Sequence, residues 1–235
     1  MDIKERIDNI NWADISASMD NRGYALVKNV LTDVECNNLS ALYTDEQLYR
    51  KTITMERYSY GLGEYKYFKY PLPGLVQQLR ESFYPKLAPI ANNWMQFLNK
   101  EQRFPATLNE LLQHCHDHDQ LRPTPLILQY QKGGYNAMHQ DLYGEVFFPM
   151  QLVFMLDEPG VDYEGGEFIL IEQKPRAQSR AMVLKPAKGD MLLFTTSYRP
   201  AKGSKGYHRV SMKHGVAEIS AGKRRSLGVI FHDAK

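Results

Sequence analysis

Apolar residues recur at helical spacing through much of the first half of the chain and alternate with polar ones through most of the second. Ile3 to Met19 carries apolar positions three and four apart, which predicts a helix. Tyr24–Val27 reads as a short strand, and Thr32 with Glu35 three residues on forms a capping box for a helix through Leu42. Lys51–Met55 reads as a strand. Pro73 opens a long helical pattern through Leu75, Leu79, Phe83, Leu87, Ile90, Trp94 and Leu98, in which Pro85 and Pro89 are expected to break or kink the helix. Leu108–His116 reads as a further short helix.

The texture changes near residue 124. From there, runs rich in β-formers are separated by turn residues: Pro125–Gln131, Tyr135–His139, Phe148–Leu156, Glu167–Glu172, Ala181–Lys185, Asp190–Thr195, Lys213–Ile219 and Arg225–His232. Gly133-Gly134, Pro159-Gly160, Gly165-Gly166, Lys188-Gly189 and Gly222 punctuate them. About eight short strands at this spacing predict a sandwich or barrel, with a jelly roll as one solution. The fold class expected is α+β with a mainly β core, a double-stranded β-helix flanked by N-terminal helices. Residues 1–123 are read as a mostly helical region packing on a core of residues 124–235, in one integrated domain.

The chain has 235 residues, 43% of them apolar and 24% charged, which fits a folded globular protein rather than a disordered one. Its net charge of +2 is too mild to argue for nucleic acid by itself. A local basic cluster (Lys202, Lys205, Arg209, Lys213, Lys223, Arg224, Arg225) reads first as solvated surface and second as a site for a phosphate-bearing substrate. The two cysteines, Cys36 and Cys115, lie far apart, so no disulfide framework is expected. The charged, amphipathic N-terminus is not a signal peptide, and the longest apolar stretch, Phe147 to Leu156, is too short to span a bilayer. A soluble, cytoplasmic protein is the expectation.

His139-Gln140-Asp141 is the first motif with chemistry in it. Residues two apart on a strand point to the same face, so His139 and Asp141 reach one metal ion with Gln140 turned away. Alone, such a tripeptide is more often a hydrogen-bonded surface pair. A third ligand must come from a distant strand, and the downstream candidates are His208, His214 and His232. His214 fits best because the chain then turns at Gly222 and returns with Arg224 and Ser226 on one face. A guanidinium fork beside a hydroxyl is a good receptor for a carboxylate. Two histidines and a carboxylate leave open positions on Fe(II), of the kind filled by 2-oxoglutarate and O₂. Arg224 and Ser226 then anchor the far carboxylate of 2-oxoglutarate. Tyr130, on the preceding strand, adds its hydroxyl or is simply a core tyrosine.

The series Tyr130, His139-x-Asp141, Gly165-Gly166-Glu167, Lys188-Gly189-Asp190, His214 and Gly222-x-Arg224-x-Ser226 resembles the Fe(II)/2-oxoglutarate dioxygenases. The GGE, GD and HxV…GxRxS pattern is similar to prolyl 4-hydroxylase-like members, and the Tyr130–His139 spacing with HQD resembles AlkB-type demethylases. Segments across nearly the whole chain (Gly63–Pro73, Arg122–Leu126, His139–Glu145, Gly165–Phe168, Leu227–Ala234) look like a bacterial 2OG-Fe(II) oxygenase family predicted to act on nucleic acid. The resemblance implies a double-stranded β-helix, iron, 2-oxoglutarate and a decarboxylative oxidation that hydroxylates or oxidatively demethylates a substrate. That substrate is an alkylated nucleobase, a protein side chain or a small metabolite. AlkB-type enzymes carry a further arginine where Ile230 stands here; the prolyl hydroxylase-like pattern does not require it.

Other features have blander readings. His114 and His118 share a helix face but read as a polar helix end, with nothing to complete a zinc set. The aromatic, glycine-rich segment Gly61–Phe68 reads as a structural loop, or as a lid giving substrate contacts through Arg57, Lys66 or Tyr67. Tyr143 and Glu145 follow the HxD motif and are further substrate-facing candidates. The competing functions are a jelly-roll binding protein without turnover, and a cupin-type enzyme, which wants histidine at Asp141 and has no use for Arg224.

Overall fold

Asparagines and acidic caps set the first two helices. Asp2 caps α1 (Ile3–Asp8) through a complete capping box with Glu5. Asn11 caps α2 (Trp12–Arg22) by accepting the Asp14 N–H. The single helix expected over Ile3–Met19 is therefore two, because asparagine side chains compete for the backbone where the first turn of α2 begins. The Thr32–Glu35 box starts α3 (Asp33–Ala41), as expected. Then follow α4 (Gly74–Phe97) and α5 (Leu108–His116), the latter capped by Thr107 with Glu110. These coordinates are a computed structural model, which describes residues 1–141 and 144–235.

Helix α4 corrects an expectation: Pro85 and Pro89 lie inside it and neither ends it. They stand four apart on the exposed side, so the carbonyls deprived of a donor face water. The opposite side buries Val76, Leu79, Phe83, Leu87 and Trp94, each contributing roughly 1.5–3 kcal/mol, which outweighs the lost hydrogen bonds.

In chain order the strands are β1 (Tyr24–Val27), β2 (Tyr49–Thr54), β3 (Gly61–Leu62), β4 (Glu64–Phe68), β5 (Leu126–Gln131), β6 (Tyr135–His139), β7 (Met150–Met155), β8 (Tyr163–Gly165), β9 (Phe168–Gln173), β10 (Arg180–Leu184), β11 (Met191–Thr195), β12 (Tyr198–Gly203), β13 (Gly206–Val216) and β14 (Ile219–Val229). Antiparallel pairing orders one sheet β1-β11-β7-β14-β5-β4-β2, with β8 against the start of β14. The other runs β10-β9-β13-β6-β3, with β12 on β13. Val153, Met155, Leu192 and Phe194 of the first sheet meet Phe168, Leu170 and Met212 of the second. The outer side of the first sheet (Ile127, Leu152, Phe154, Leu193, Leu227) packs with the helices. This is the expected jelly roll with helices on one face.

Strands β1, β2 and β4, all from the first 123 residues, are built into the first sheet. The segment Gly61–Phe68, read as a loop or lid, instead forms β3 and β4. The turn expected at Gly222 is also absent: the chain passes from β13 to β14 at Ala217-Glu218, and Gly222 lies inside β14 opposite Tyr163. Behind the core, Arg80 of α4 is fully buried and holds the last strand's exit, donating to the carbonyls of Ile230 (3.0 Å) and Phe231 (2.8 Å) and to Asp233 (2.7 Å). Both cysteines are free and buried. No helix among the described residues is long and apolar enough to cross a membrane.

Candidate metal centre

The register of β6 against β13 sets His139 directly opposite His214, with ring centroids 4.2 Å apart. Asp141 follows β6 at once, its N–H bonded to the carbonyl of Thr196. Its carboxylate lies 3.2 Å from Nε2 of His214 and 3.5 Å from Nε2 of His139. One donor atom from each residue falls within 4.8 Å of the others, and no other such group of His, Cys, Asp or Glu occurs among the described residues. His208 is exposed on β13 opposite Ala201, and His232 accepts the Phe148 N–H, so neither competes for this place. His114 is exposed and His118 half-buried, with His118 Nδ1 on the carbonyl of His114.

Each of the three side chains is held. His139 Nδ1 lies 2.7 Å from the carbonyl of Ala137, so that nitrogen carries the proton and the Nε2 lone pair faces Asp141. His214 sits between Phe168, stacked at 5.9 Å, and Phe194 at 4.7 Å, an apolar seat that keeps water out. Burial, and then the His214 ring, push His139 below the ordinary histidine range, so it is neutral at neutral pH. Burial alone would raise the Asp141 carboxyl, but His214, His139 and the Gln151 amide outweigh it and hold the group below the usual carboxylate range. Gln140 turns away as expected, donating to the carbonyls of Ser197 and Met212.

Sequence reasoning missed Gln151. It is 5% exposed, and its amide nitrogen donates to Asp141 at 2.7 Å and approaches His214 Nε2 at 3.4 Å. Its carbonyl oxygen is buried with no partner. The only signal was one polar residue in the otherwise apolar, wholly buried β7.

The triad opens into a cavity of about 440 Å³ that Tyr130, Arg224 and Ser226 also line. Arg224 faces Tyr130 across β14 and β5, and Ser226 follows on the same side of β14. Arg224 is 1% exposed, yet no carboxylate pairs with it among the described residues. Its contacts are Ser226 Oγ and Met155 Sδ, both at 3.4 Å, with the Tyr130 and Tyr163 rings at 5.7 and 5.9 Å, and its Nε has no partner. Burial pushes the Tyr130 phenol up to about 12, so it keeps its proton while accepting from Asn136.

Other candidates disperse. Lys66 points away from the cavity to Tyr43 and Glu46, whereas Tyr67 lines it. Arg57 is exposed, Glu145 lies 3.5 Å from Lys235, and Tyr143 lies outside the described residues. The basic cluster is divided: Arg224 faces inward and Arg225 pairs with Asp157 at 2.7 Å.

A family model described as "Oxygenase, catalysing oxidative methylation of damaged DNA" matches residues 63–234. The chain belongs to this family, Oxygenase-NA. The chain is also similar to an uncharacterized protein of Mycobacterium tuberculosis, 45% identical over 167 residues, 71% of this chain and 72% of that one. The fold is that of the 2OG-Fe(II) oxygenases. A Pseudomonas putida prolyl-4-hydroxylase superposes with a TM-score of 0.56 at 13% identity, covering 95% of this chain and 100% of that one. The epimerase SnoN from nogalamycin biosynthesis, described as non-heme and alpha ketoglutarate dependent, gives 0.57 at 12% identity over 94% and 82%. At these identities the likeness is one of fold, which this Oxygenase-NA member shares with those 2OG-Fe(II) oxygenases.

Proposed function

We propose that the protein is an Fe(II)- and 2-oxoglutarate-dependent dioxygenase, with iron held by His139, Asp141 and His214. The observation that carries this reading is Arg224, a buried guanidinium without a carboxylate, in the same cavity as the triad. Burying an unpaired charge costs several kcal/mol, so the site is built for an anion. A dicarboxylic acid with one end at Arg224, Ser226 and Tyr130 and the other at the triad fits that requirement. Two imidazoles and one carboxylate suit Fe(II) and leave positions open for the other end of the acid and for O₂.

When bound, the ferrous ion supplies O₂ activation coupled to loss of CO₂ from 2-oxoglutarate. The chain's own groups do the rest. Ala137 fixes the His139 tautomer, Gln151 orients Asp141, and Phe168 and Phe194 keep the His214 side dry. In the overall reaction a substrate C–H, O₂ and 2-oxoglutarate give C–OH, succinate and CO₂, with one oxygen atom entering the alcohol and one the succinate. On an N-methyl group the carbinol releases formaldehyde and leaves N–H.

Among an alkylated nucleobase, a protein side chain and a small metabolite, the family description favours a damaged base in DNA. The stacked Tyr58 and Tyr60 rings beside the cavity also suit a flat ligand. The test is anaerobic titration with Fe(II) and 2-oxoglutarate, read by the weak visible charge-transfer band, then succinate formation in air. Asp141→Ala is expected to lose both. Normal turnover by Asp141→Ala refutes the site.

A further inference from the structure

We propose that the cavity has a second compartment, beyond the triad from Arg224, which takes a neutral planar heterocycle bearing an N–H donor next to the carbon to be oxidised, and that Gln151 reads that donor. This rests on the oxygenase reading and adds to it the chemistry of the substrate.

Position along the strands separates the compartment from the diacid seat. On the inner side of β14, Arg224 and Ser226 are followed by Gly228 and then, past the strand end, Ile230, all lining the cavity. Arg224 and Gly228 are four residues apart, about 13 Å along a strand. A five-carbon acid held at Arg224 and the triad leaves the Gly228 end free. There the cross-strand neighbours are Leu126, opposite Gly228, and Tyr67, opposite Leu126; Tyr65 stands one alternation back, opposite Leu128. The Tyr65 and Tyr67 rings meet edge to face at 5.4 Å and 88°, forming a corner that fits the face and edge of a flat ring.

The charge of the occupant follows from what lines the space. Among the described lining residues, only the triad and Arg224 bear a carboxylate, an imidazole or a guanidinium, and none is a lysine. The Arg50 guanidinium lies 4.5 Å from the Tyr67 ring and already uses its attraction for cations. A neutral ring is therefore preferred to a cationic one.

Gln151 supplies the polarity of recognition. The amide turns its NH₂ toward the Asp141 carboxylate, donating to Oδ2 at 2.7 Å. With its nitrogen on Asp141, the amide turns its carbonyl oxygen away from that carboxylate, and this oxygen is buried and unpartnered on a residue that lines the cavity beside the triad. A buried acceptor left unmatched costs about 1–3 kcal/mol, so a substrate bringing an N–H is favoured and one bringing C=O to the same place is repelled. The approach is also aromatic: Tyr58 and Tyr60 stack at 5.4 Å and 18°, each 50% exposed, about a Ser59 in the left-handed region at φ 58°. That turn is one a non-glycine residue adopts only at a cost.

The test uses pairs that differ in this donor. 5-Methyl-2′-deoxycytidine and thymidine carry the same methyl beside an amino or an oxo group. N6-Methyl-2′-deoxyadenosine and O6-methyl-2′-deoxyguanosine carry a methyl on N–H or on O. Each is supplied as a free nucleoside and within a short single strand to protein loaded with Fe(II) and 2-oxoglutarate, and succinate and oxidised methyl are measured. In one pair at least, the amino member is expected to raise turnover tenfold or more above its oxo twin. Gln151→Met is expected to bring that ratio near one. Gly228→Val, whose Cβ would stand 3.4 Å from Leu126 Cγ and whose methyl groups add bulk there, is expected to lose the stimulation. Equal stimulation within both pairs, no stimulation by any compound, an unchanged ratio in Gln151→Met or full stimulation in Gly228→Val overturns the compartment. Wild-type protein that forms neither the visible band nor any succinate overturns instead the oxygenase reading beneath it.

Discussion

Replacing Arg224 with methionine should separate the cost of a buried charge from the benefit of its ligand. Without ligand the guanidinium has 3.4 Å contacts to Ser226 and Met155, the Tyr163 phenol beside it, an unpartnered Nε and no carboxylate among the described residues. Removing such a charge for an apolar side chain of similar length is neutral or stabilising. The unliganded Arg224→Met protein should therefore melt at or above the wild-type temperature. The opposite holds with 2-oxoglutarate present. At a hundred times its Kd the ligand stabilises the wild type by about 2.7 kcal/mol. In a chain of 235 residues this is a rise of about 5–10 °C. Truncating one partner of a buried charge pair costs about 2–5 kcal/mol, or about 30-fold to a few thousand-fold in affinity. At the same ligand concentration the variant retains at most about 0.9 kcal/mol, about 2–3 °C. The assay is thermal unfolding under anaerobic conditions with Mn(II) in place of iron, across a 2-oxoglutarate titration. An unliganded variant several degrees less stable that keeps the full ligand-induced rise would refute the assignment of Arg224 as the anion seat.

Gly166→Ala should raise the 2-oxoglutarate requirement without touching the triad: Gly166 has φ +65°, and a Cβ there would stand 2.3 Å from Ile219 Cδ1 and 2.9 Å from Arg224 Cδ, displacing the anchor. Titration of succinate formation against 2-oxoglutarate reads this, and an unchanged KM contradicts it. Stability should fall on acidification through His232, which burial, and then Arg80, hold at about 4 against 6.5. Between those values the unfolded chain takes up a proton that the folded one refuses, so stability rises with pH across the window and is lost as pH falls from 6.5 toward 4, by up to about 3 kcal/mol. Urea midpoints at pH 7 and 4.5 should differ less in His232→Gln than in the wild type; equal differences would refute the assignment.

The sequence made some parts of this molecule legible because one local rule was enough. The Thr32 capping box marks a helix start, and β6 follows its run from Tyr135 to His139. His139, Asp141 and His214 were legible because alternation places residues two apart on one face and the second histidine precedes the arginine strand. The misread elements share a different cause. Gly222 carries a turn signal, yet its φ of +76° serves close packing inside β14, where a Cβ would lie 2.1 Å from the carbonyl of Asp162. The true passage at Ala217-Glu218 has no turn residue to announce it. Strand β4 was hidden because Lys66 and its flanking tyrosines look like a polar aromatic loop; only its neighbours β2 and β5 turn the tyrosines inward and send Lys66 to Glu46. Gln151 was invisible because its meaning lies in a partner ten residues back, across a segment no periodicity describes.

The passage at Ala217-Glu218 joins two opposing walls, one bearing His214 and the other Arg224. Because side chains on β14 alternate, a single residue added or removed between those two positions would rotate the whole strand by half a period. Lys223, Arg225 and Leu227 would then look into the cavity, while Arg224, Ser226 and Gly228 faced the helices. Substitutions in this stretch are matters of degree, but its length is a counted quantity. Chains descended from a common ancestor should therefore keep the interval between the histidine and the arginine far more strictly than they keep the exposed hairpin at residues 174–179.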